Sequence, residues 1–278
     1  MKILVVGRGW VGKMMEKELS VNEYVPYQQF IPCVVRSCSH QEAYYELSNW
    51  NYDWVVNCAG VTGSPNVDAC EDDKQNTMEG NAYYPIRLFE TCRKNNVRFA
   101  HFSSGCIYQG EIDDGYAAPN FFGSTYSLSK GISDYYLTKL TKDALVFRVR
   151  MPFEIIPSGK NLLDKIDKYA KTGKLYEGGP NSITNITEAV NKAAFCIRNN
   201  MRGPFNLVNR GSVTMKRITE LMGLTDVNWY TEEEFKSATK AGRSNCVIPS
   251  SALMSSVEES LVNTIRDWKL SKEWMAKS

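Results

Sequence analysis

The chain has few histidines, little charge imbalance and no long apolar runs. Only His40 and His101 occur in 278 residues. None of the eight cysteines (Cys33, Cys38, Cys58, Cys70, Cys92, Cys106, Cys196 and Cys246) stands in a CxxC pair, so the spacing gives no structural zinc site. Eight cysteines in a chain this long do not make a disulfide scaffold either. Lysine and arginine total 33 against 31 for aspartate and glutamate. A formal +2 leaves no electrostatic case for nucleic-acid or membrane binding, although a local basic pocket can still take a small anion. No apolar run approaches the ~18 residues that span a bilayer. The opening Met1-Lys2-Ile3-Leu4-Val5-Val6 reads as a strand rather than a signal peptide. The expectation is a soluble protein of a reducing compartment, the cytoplasm.

The same opening carries the first positive signal. Residues 2–6 are apolar, Gly7-Arg8-Gly9-Trp10-Val11-Gly12 follows, and a helical pattern then runs through Leu19. Strand, glycine turn and helix together give a GxGxxG motif the context it needs to bind a dinucleotide. Gly7 suits the tight turn, Gly9 lets the backbone approach a pyrophosphate, and Gly12 permits close helix–strand packing. The unpaired amides at the helix start then face the phosphates. A second strand is expected over Phe30–Val35, ending at Arg36. At such a strand end many NAD sites carry an acid that holds the ribose hydroxyls. An arginine there, with Arg8 in the glycine turn, instead suits a 2′-phosphate, so NADPH/NADP+ is expected over NAD.

Alternation continues along the chain. Asp53–Val56 is a buried strand entering the small-residue turn Asn57-Cys58-Ala59-Gly60, which should lie beside the cofactor. Val97–Phe102 is the next strand, a helix carries Tyr126 and Lys130, and Ala144–Val149 is a further strand. Beyond residue 150 the pattern is less regular, with helices expected over 161–170, 187–197, 214–222 and 256–268 and a strand over 203–208. The expected fold is α/β, a Rossmann-type doubly wound parallel sheet with a smaller C-terminal substrate lobe. Residues 1–150 form mainly the NADP-binding domain and 151–278 mainly the lobe, with some later segments returning to the first domain.

Ser103-Ser104-Gly105-Cys106 falls at the carboxyl end of the 97–102 strand, where ligands of open α/β sheets bind. Tyr126-Ser-Leu-Ser-Lys130 sets a phenol and an ammonium on one helical face. A lysine beside a tyrosine favours the phenolate and fits the phenol for proton exchange. Ser104 would hold a substrate oxygen. A plain reductase has no use for Cys106, which in isolation reads as a small packed residue. Asp68 and Glu71 read as solvated or helix-capping acids, His101 as a packed strand residue and Cys58 as packing.

Together these motifs resemble the extended short-chain dehydrogenase/reductases that act on nucleotide sugars. Asn57–Asp68 (NCAGVTGSPNVD), Ser104–Tyr108, Thr125–Lys130, Arg148–Pro152 and Gly242-Arg-Ser-Asn245 further resemble the bifunctional 3,5-epimerase/4-reductases of rhamnose synthesis, plant-type enzymes with giant-virus homologues. They are related to dTDP-4-dehydrorhamnose reductase. The resemblance implies an NADPH-dependent enzyme acting on UDP- or dTDP-4-keto-6-deoxyglucose, in a chain whose relatives are commonly homodimers. By position it implies Ser104 as substrate-oxygen donor, Tyr126 as catalytic tyrosine with Lys130, Cys106 as epimerising base and Lys165 as opposing acid. It places Arg243 on the nucleotide diphosphate and adds Thr62, Gly105 and Asn245 to the substrate site. No metal is implied.

The chemistry agrees with this reading. C3 and C5 of a 4-keto sugar both lie α to the carbonyl, so removal of either proton gives an enolate at the C4 oxygen. Ser104 and Tyr126 could stabilise that oxygen during each enolisation and again during reduction. Inversion needs two proton-transfer groups across the ring, and a thiol is suited to one of them. Other readings are a monofunctional 4-reductase, a fucose-pathway GDP-sugar enzyme and an NADP-binding regulatory subunit. The fucose-pathway enzymes use a histidine partner, and both histidines here precede the Tyr-xxx-Lys helix. The intact Ser104/Tyr126/Lys130 set argues against a regulatory subunit.

Overall fold

The computed structural model of the chain describes residues 1–21, 33–49, 51–251 and 254–277. Its centre is a sheet of six parallel strands: β1 (Lys2–Val6), β2 (Val34–Cys38), β3 (Trp54–Asn57), β4 (Arg98–Ser104), β5 (Leu145–Val149) and β6 (Gly203–Asn206). They lie in the order β2-β1-β3-β4-β5-β6. The chain leaves β1 toward β2 and returns to its other side as β3, so the topological switch point falls between β1 and β3, where such sheets bind ligands.

Strands buried on both faces read as continuous apolar runs, and β1 shows why. Ile3 and Val5 enter one core with Met15, Leu19, Phe147, Ala189 and Ala193. Leu4 and Val6 enter the other with Leu88, Phe89, Phe99 and Val146. The first face is covered by α1 (Trp10–Ser20) and by a helix from late in the chain, Ile186–Arg198. The second is covered by α2 (Tyr84–Lys94). The helix carrying Tyr126 and Lys130, α3 (Thr125–Tyr135), follows β4. A third core of Phe153, Leu163, Ile166, Ile183, Ile218, Leu261 and Trp268 makes the smaller C-terminal lobe. It is built from α4 (Leu162–Thr172), the helix Met215–Met222 and the terminal helix Val257–Lys277. We label the returning helix Ile186–Arg198 α5 and the terminal one α6.

Two expectations need correcting. The second strand runs over Val34–Cys38, not to Arg36, because parallel pairing carries it from Lys2↔Val34 to Val6↔Cys38. Arg36 therefore sits mid-strand opposite Leu4, and Cys38 is the residue at the strand end, its carbonyl accepting from Gly7 N. Phe30, Ile31 and Pro32 lie outside the described residues. The last helix continues nine residues past Trp268, to Lys277. Trp268 closes the buried face, but the next residues hold no glycine or proline to stop the helix, and Leu270 and Trp274 ride it into solvent. Among the described residues no helix is long and apolar enough to cross a membrane.

Candidate active site

The glycine turn has the dimensions of a phosphate cradle. Gly7 takes φ +101°, and a Cβ there would lie 2.7 Å from Ala59 N. A Cβ on Gly12 would strike Gly7 O, so α1 packs against the turn at a distance only glycine permits. Gly9 has nothing within 4 Å of its Cβ position and leaves the amide face of the turn open. Val11 packs into the core below, and Trp10 Nε1 donates to Glu154 Oε1 at 2.5 Å, joining the turn to the segment that leads to the smaller lobe. Glu154 is buried, which pushes its carboxyl up despite that bond. The residues fit a dinucleotide pyrophosphate on steric grounds.

Both candidate phosphate-reading arginines face carboxylates. Arg8 Nη2 lies 3.3 Å from Glu42 Oε2 and donates to Ser37 O. Arg36 Nε lies 3.0 Å from Glu46 Oε2, which also accepts from Tyr52 OH. Arg8, in the turn after β1, reaches Ser37 next to the carboxyl end of β2, whereas Arg36 is two residues upstream of that end.

Asn57 ends β3 wholly buried, and its side chain is consumed by structure: Nδ2 meets His101 Nδ1 at 3.1 Å and Oδ1 accepts from Ala59 N. Its side chain thereby shapes the Ala59-Gly60 turn. Burial, helped by the Lys130 charge, pushes His101 far below the usual histidine range, so it is a neutral packed residue. Cys58 packs on the first core, and burial pushes its thiol well up.

β4 delivers two of the candidate groups. Ser104 is its last residue, and Cys106 follows in the 3-10 turn Gly105–Ile107. Ser104 Oγ accepts from Cys106 N at 3.1 Å. Ser104 is buried, whereas Cys106 is half-buried. α3 brings in Tyr126 with Ser124 as its N-cap, accepting from Ser127 N. Glu71 reinforces that helix start, taking Thr125 N at 2.6 Å and Thr125 Oγ1 at 2.8 Å. Glu71 thus helps seat Tyr126.

The Tyr126 phenol lies near Ser104, Cys106 and Arg150 and feels all three. Burial, then Cys106, raises the phenol, while Ser104 and Arg150 draw it down; burial wins. Lys130 is buried, its Nζ donating to Phe102 O at 3.2 Å and lying 3.1 Å from a Cβ position on Gly60. Burial lowers the ammonium to about 8, against the pull of Asp134 and Cys58.

Several buried polar residues around this centre escaped the sequence reading. Asn81 clamps the loop entering the Val61–Asp68 motif, its Oδ1 accepting from Val61 N and its Nδ2 donating to Val61 O. Asp134, one turn beyond Lys130, accepts from Ser103 Oγ and from Arg148. Arg150 lies against Cys106, with Nη1 3.3 Å from Sγ. The pairing explains it: Ser104↔Val149 in the β4–β5 register sets Arg150 beside Gly105, whose missing side chain leaves room. Polar residues inside apolar runs were the available signal.

The remaining candidates lie farther out. Arg243 pairs with Asp68, Nη1 to Oδ1 at 3.0 Å and Nη2 to Oδ2 at 2.9 Å. Lys240 N and Ala241 N also donate to Asp68. Burial pushes the Asp68 carboxyl up, but Arg243 and these amides more than offset it and hold the group below the usual carboxylate range. Asn245 Oδ1 accepts from Asn181, and Thr62 is exposed. Lys165 sits half-buried in the first turn of α4; burial and Lys160 hold its ammonium below the usual range. Among the described residues no hydrogen bond or ion pair joins Lys165 to Ser104, Cys106 or Tyr126.

Comparison with known proteins gives a consistent result. Residues 1–222 match the family described as RmlD substrate binding domain. A bifunctional dTDP-4-dehydrorhamnose 3,5-epimerase/dTDP-4-dehydrorhamnose reductase of Arabidopsis thaliana is 29% identical over 94% of this chain and 91% of its own length. A trifunctional UDP-glucose 4,6-dehydratase/UDP-4-keto-6-deoxy-D-glucose 3,5-epimerase/UDP-4-keto-L-rhamnose-reductase of the same plant is 29% identical over 95% of this chain, which spans only 42% of that protein. Among solved structures, a UDP-rhamnose synthase of Acanthamoeba polyphaga mimivirus superposes with TM-score 0.81 at 25% identity, over 96% of this chain and 99% of the other.

Proposed function

This chain belongs to the RmlD substrate binding domain family, and on that premise we propose that it is a bifunctional enzyme of nucleotide-sugar metabolism. It would convert UDP-4-keto-6-deoxy-D-glucose, or the dTDP form, to the nucleotide-linked L-rhamnose by 3,5-epimerisation and 4-reduction. The broader reading, a nucleotide-sugar 4-reductase/epimerase, rests on the family. The bifunctional one rests on a single observation: Cys106, a half-buried thiol, is fixed by its own amide to Ser104 Oγ, and both side chains act on the Tyr126 phenol.

The turn Gly7–Gly12 with Arg8 would hold NADPH, which supplies a hydride for C4 when bound. The chain's own residues do the rest. Ser104 and Tyr126 would hold the C4 oxygen with their hydroxyls. Stabilising charge on that oxygen assists proton removal at C3 and at C5, and assists reduction at C4 for the same reason. Cys106 takes the C3 and C5 protons, and Lys165 returns protons from the opposite face. Tyr126, kept protonated by its surroundings, gives its proton to the C4 oxygen as the ketone is reduced. Arg243 would contact the diphosphate.

The test is incubation with UDP-4-keto-6-deoxyglucose and NADPH in heavy water, with the product read by NMR and mass spectrometry. The expected result is NADPH consumption, an L-rhamno product and deuterium at both C3 and C5. Reduction without deuterium and with unchanged ring configuration would leave a 4-reductase. No turnover of UDP, dTDP or GDP keto sugars would leave a cofactor-binding protein.

A further inference from the structure

We propose that Arg150 is the positioning residue of the epimerase half-reaction, its guanidinium serving as counter-ion to the Cys106 thiolate. This rests on the reading of Cys106 as the base. Arg150 is 1% exposed, and every partner of its side chain is neutral as drawn: Cys106 Sγ at 3.3 Å, Ser244 Oγ at 3.0 Å, Ser244 O at 2.7 Å and Asn181 Oδ1. Its Nε has no partner among the described residues. A buried cation surrounded only by dipoles bears a desolvation cost that those dipoles offset only in part. One contact atom, Sγ, can become an anion and relieve that cost.

The surroundings fix the fork in place. Ser244 and Asn181 hold Nη1 and Nη2, the backbone N of Arg150 donates to Thr184 Oγ1, and the stem passes over Gly105. The guanidinium is thus held rigid from the smaller lobe and aimed at sulfur. Arg148, two residues earlier, differs in having a carboxylate, Asp134, for its charge.

In the proton-transfer step, the C–H bond at C3 or C5 breaks and an S–H bond forms on Cys106. The C–H electron pair moves into the ring, and the negative charge passes from Sγ to the C4 oxygen. Arg150 also draws the neighbouring Tyr126 phenol down, so its field reaches both ends of that transfer. One fixed cation can therefore favour the charged base before the step without opposing the charge formed after it.

Two assays separate the half-reactions. One follows C3/C5 deuterium exchange into UDP-4-keto-6-deoxyglucose with NADP+ present. The other follows NADPH oxidation with already epimerised UDP-4-keto-L-rhamnose. Arg150→Gln should lower exchange by about 100-fold and reduction at least ten times less, with Arg150→Lys recovering part of the exchange. A rise in KM of similar size in both assays would make Arg150 a substrate ligand and overturn the proposal. Cys106→Ser separates the two levels of argument. If it abolishes exchange while Arg150→Gln does not, the Arg150 proposal fails alone; if it leaves exchange intact, the reading of Cys106 fails. Should Arg150→Gln not fold, Arg150→Lys is read in the same pair of assays, and equal loss in both overturns the proposal. In the unaltered chain at pH 7, iodoacetamide should alkylate Cys106 before any other cysteine, since the thiolate is the reacting form. Later alkylation of Cys106 would also overturn it.

Discussion

Arg148 grips both oxygens of Asp134, Nε to Oδ2 at 2.9 Å and Nη2 to Oδ1 at 2.7 Å, with the two side chains wholly out of solvent. This fork ties β5 to α3 one turn beyond Lys130, and Ser103 adds its hydroxyl to the same carboxylate. Removing one partner strands the other charge. Asp134→Asn should therefore destabilise the chain by about 3–5 kcal/mol, whereas replacing both partners by Leu and Met should cost less than the single change. Urea unfolding of the native chain and the two variants checks the order.

Lys130 gives a pH signature. Burial sets its folded pKa near 8, below the unfolded lysine value of 10.5. Below pH 8 the ammonium is charged in both states, and folding carries the whole cost of burying it. Between about 8 and 10.5 the unfolded chain binds the extra proton, so this group's contribution to stability rises with pH. Stability of the native chain relative to Lys130→Met should thus improve as pH goes from 8 to 10. A gap that is flat or widens against the native chain would contradict the buried placement of the ammonium.

If Arg243 contacts the diphosphate as proposed, its pair with Asp68 should set substrate affinity. Asp68 collects Lys240 N, Ala241 N and the Arg243 fork, so it holds the 240–245 segment over the Val61–Asp68 motif. Arg243→Met should raise KM for the nucleotide sugar by roughly 10–100-fold with kcat little changed, the size of a lost charged hydrogen bond. Asp68→Asn should move KM the same way by loosening the segment. Steady-state kinetics of both variants distinguish this from a role in the chemical step, which would lower kcat.

Cofactor choice should depend on Arg8. Its contact with Glu42 is between half-exposed groups and is screened by water, so a phosphate can displace the carboxylate. Arg8→Ala should weaken NADPH binding about tenfold or more and leave NADH nearly unaffected. Fluorescence titration with the two cofactors reads the ratio. Arg36→Ala should matter less, since β2 carries that residue upstream of the strand end.

How much could be read without coordinates depended on sequence distance. β1, the glycine turn and α1 are contiguous, and their pattern specifies local geometry directly. Ser104 and the Tyr126/Lys130 pair were legible because each lies in a short motif at an element end. The Arg150–Cys106 contact was not: it joins residues 44 apart through the register of two parallel strands and needs Ser244 and Asn181 to hold the fork. Asp134 was hidden for a similar reason, as one acid on a helix shows no partner until Arg148 arrives from β5. The end of β2 was misplaced because the apolar run stops at Val35, whereas pairing with β1 carries the strand on to Cys38. Glu71 was seen as a helix-capping acid, but the helix whose start it holds is the distant one carrying Tyr126.

The sheet is closed late in the chain. β6 pairs with β5 only once residues 203–206 exist, and α5 covers α1, with Arg198 Nη2 bonding Glu18 O across 180 positions. A ribosome that has released the first 150 residues has made the glycine turn, Cys106 and Tyr126, yet left an open β-edge and a bare apolar face. At about 5–20 residues per second, that unfinished surface persists for roughly 3–11 s before its own cover emerges. Such an edge is a template for mispairing with other nascent chains. The interval is a property of gene order along the fold, and yield in the cell should respond to chaperone supply and translation speed over residues 150–206.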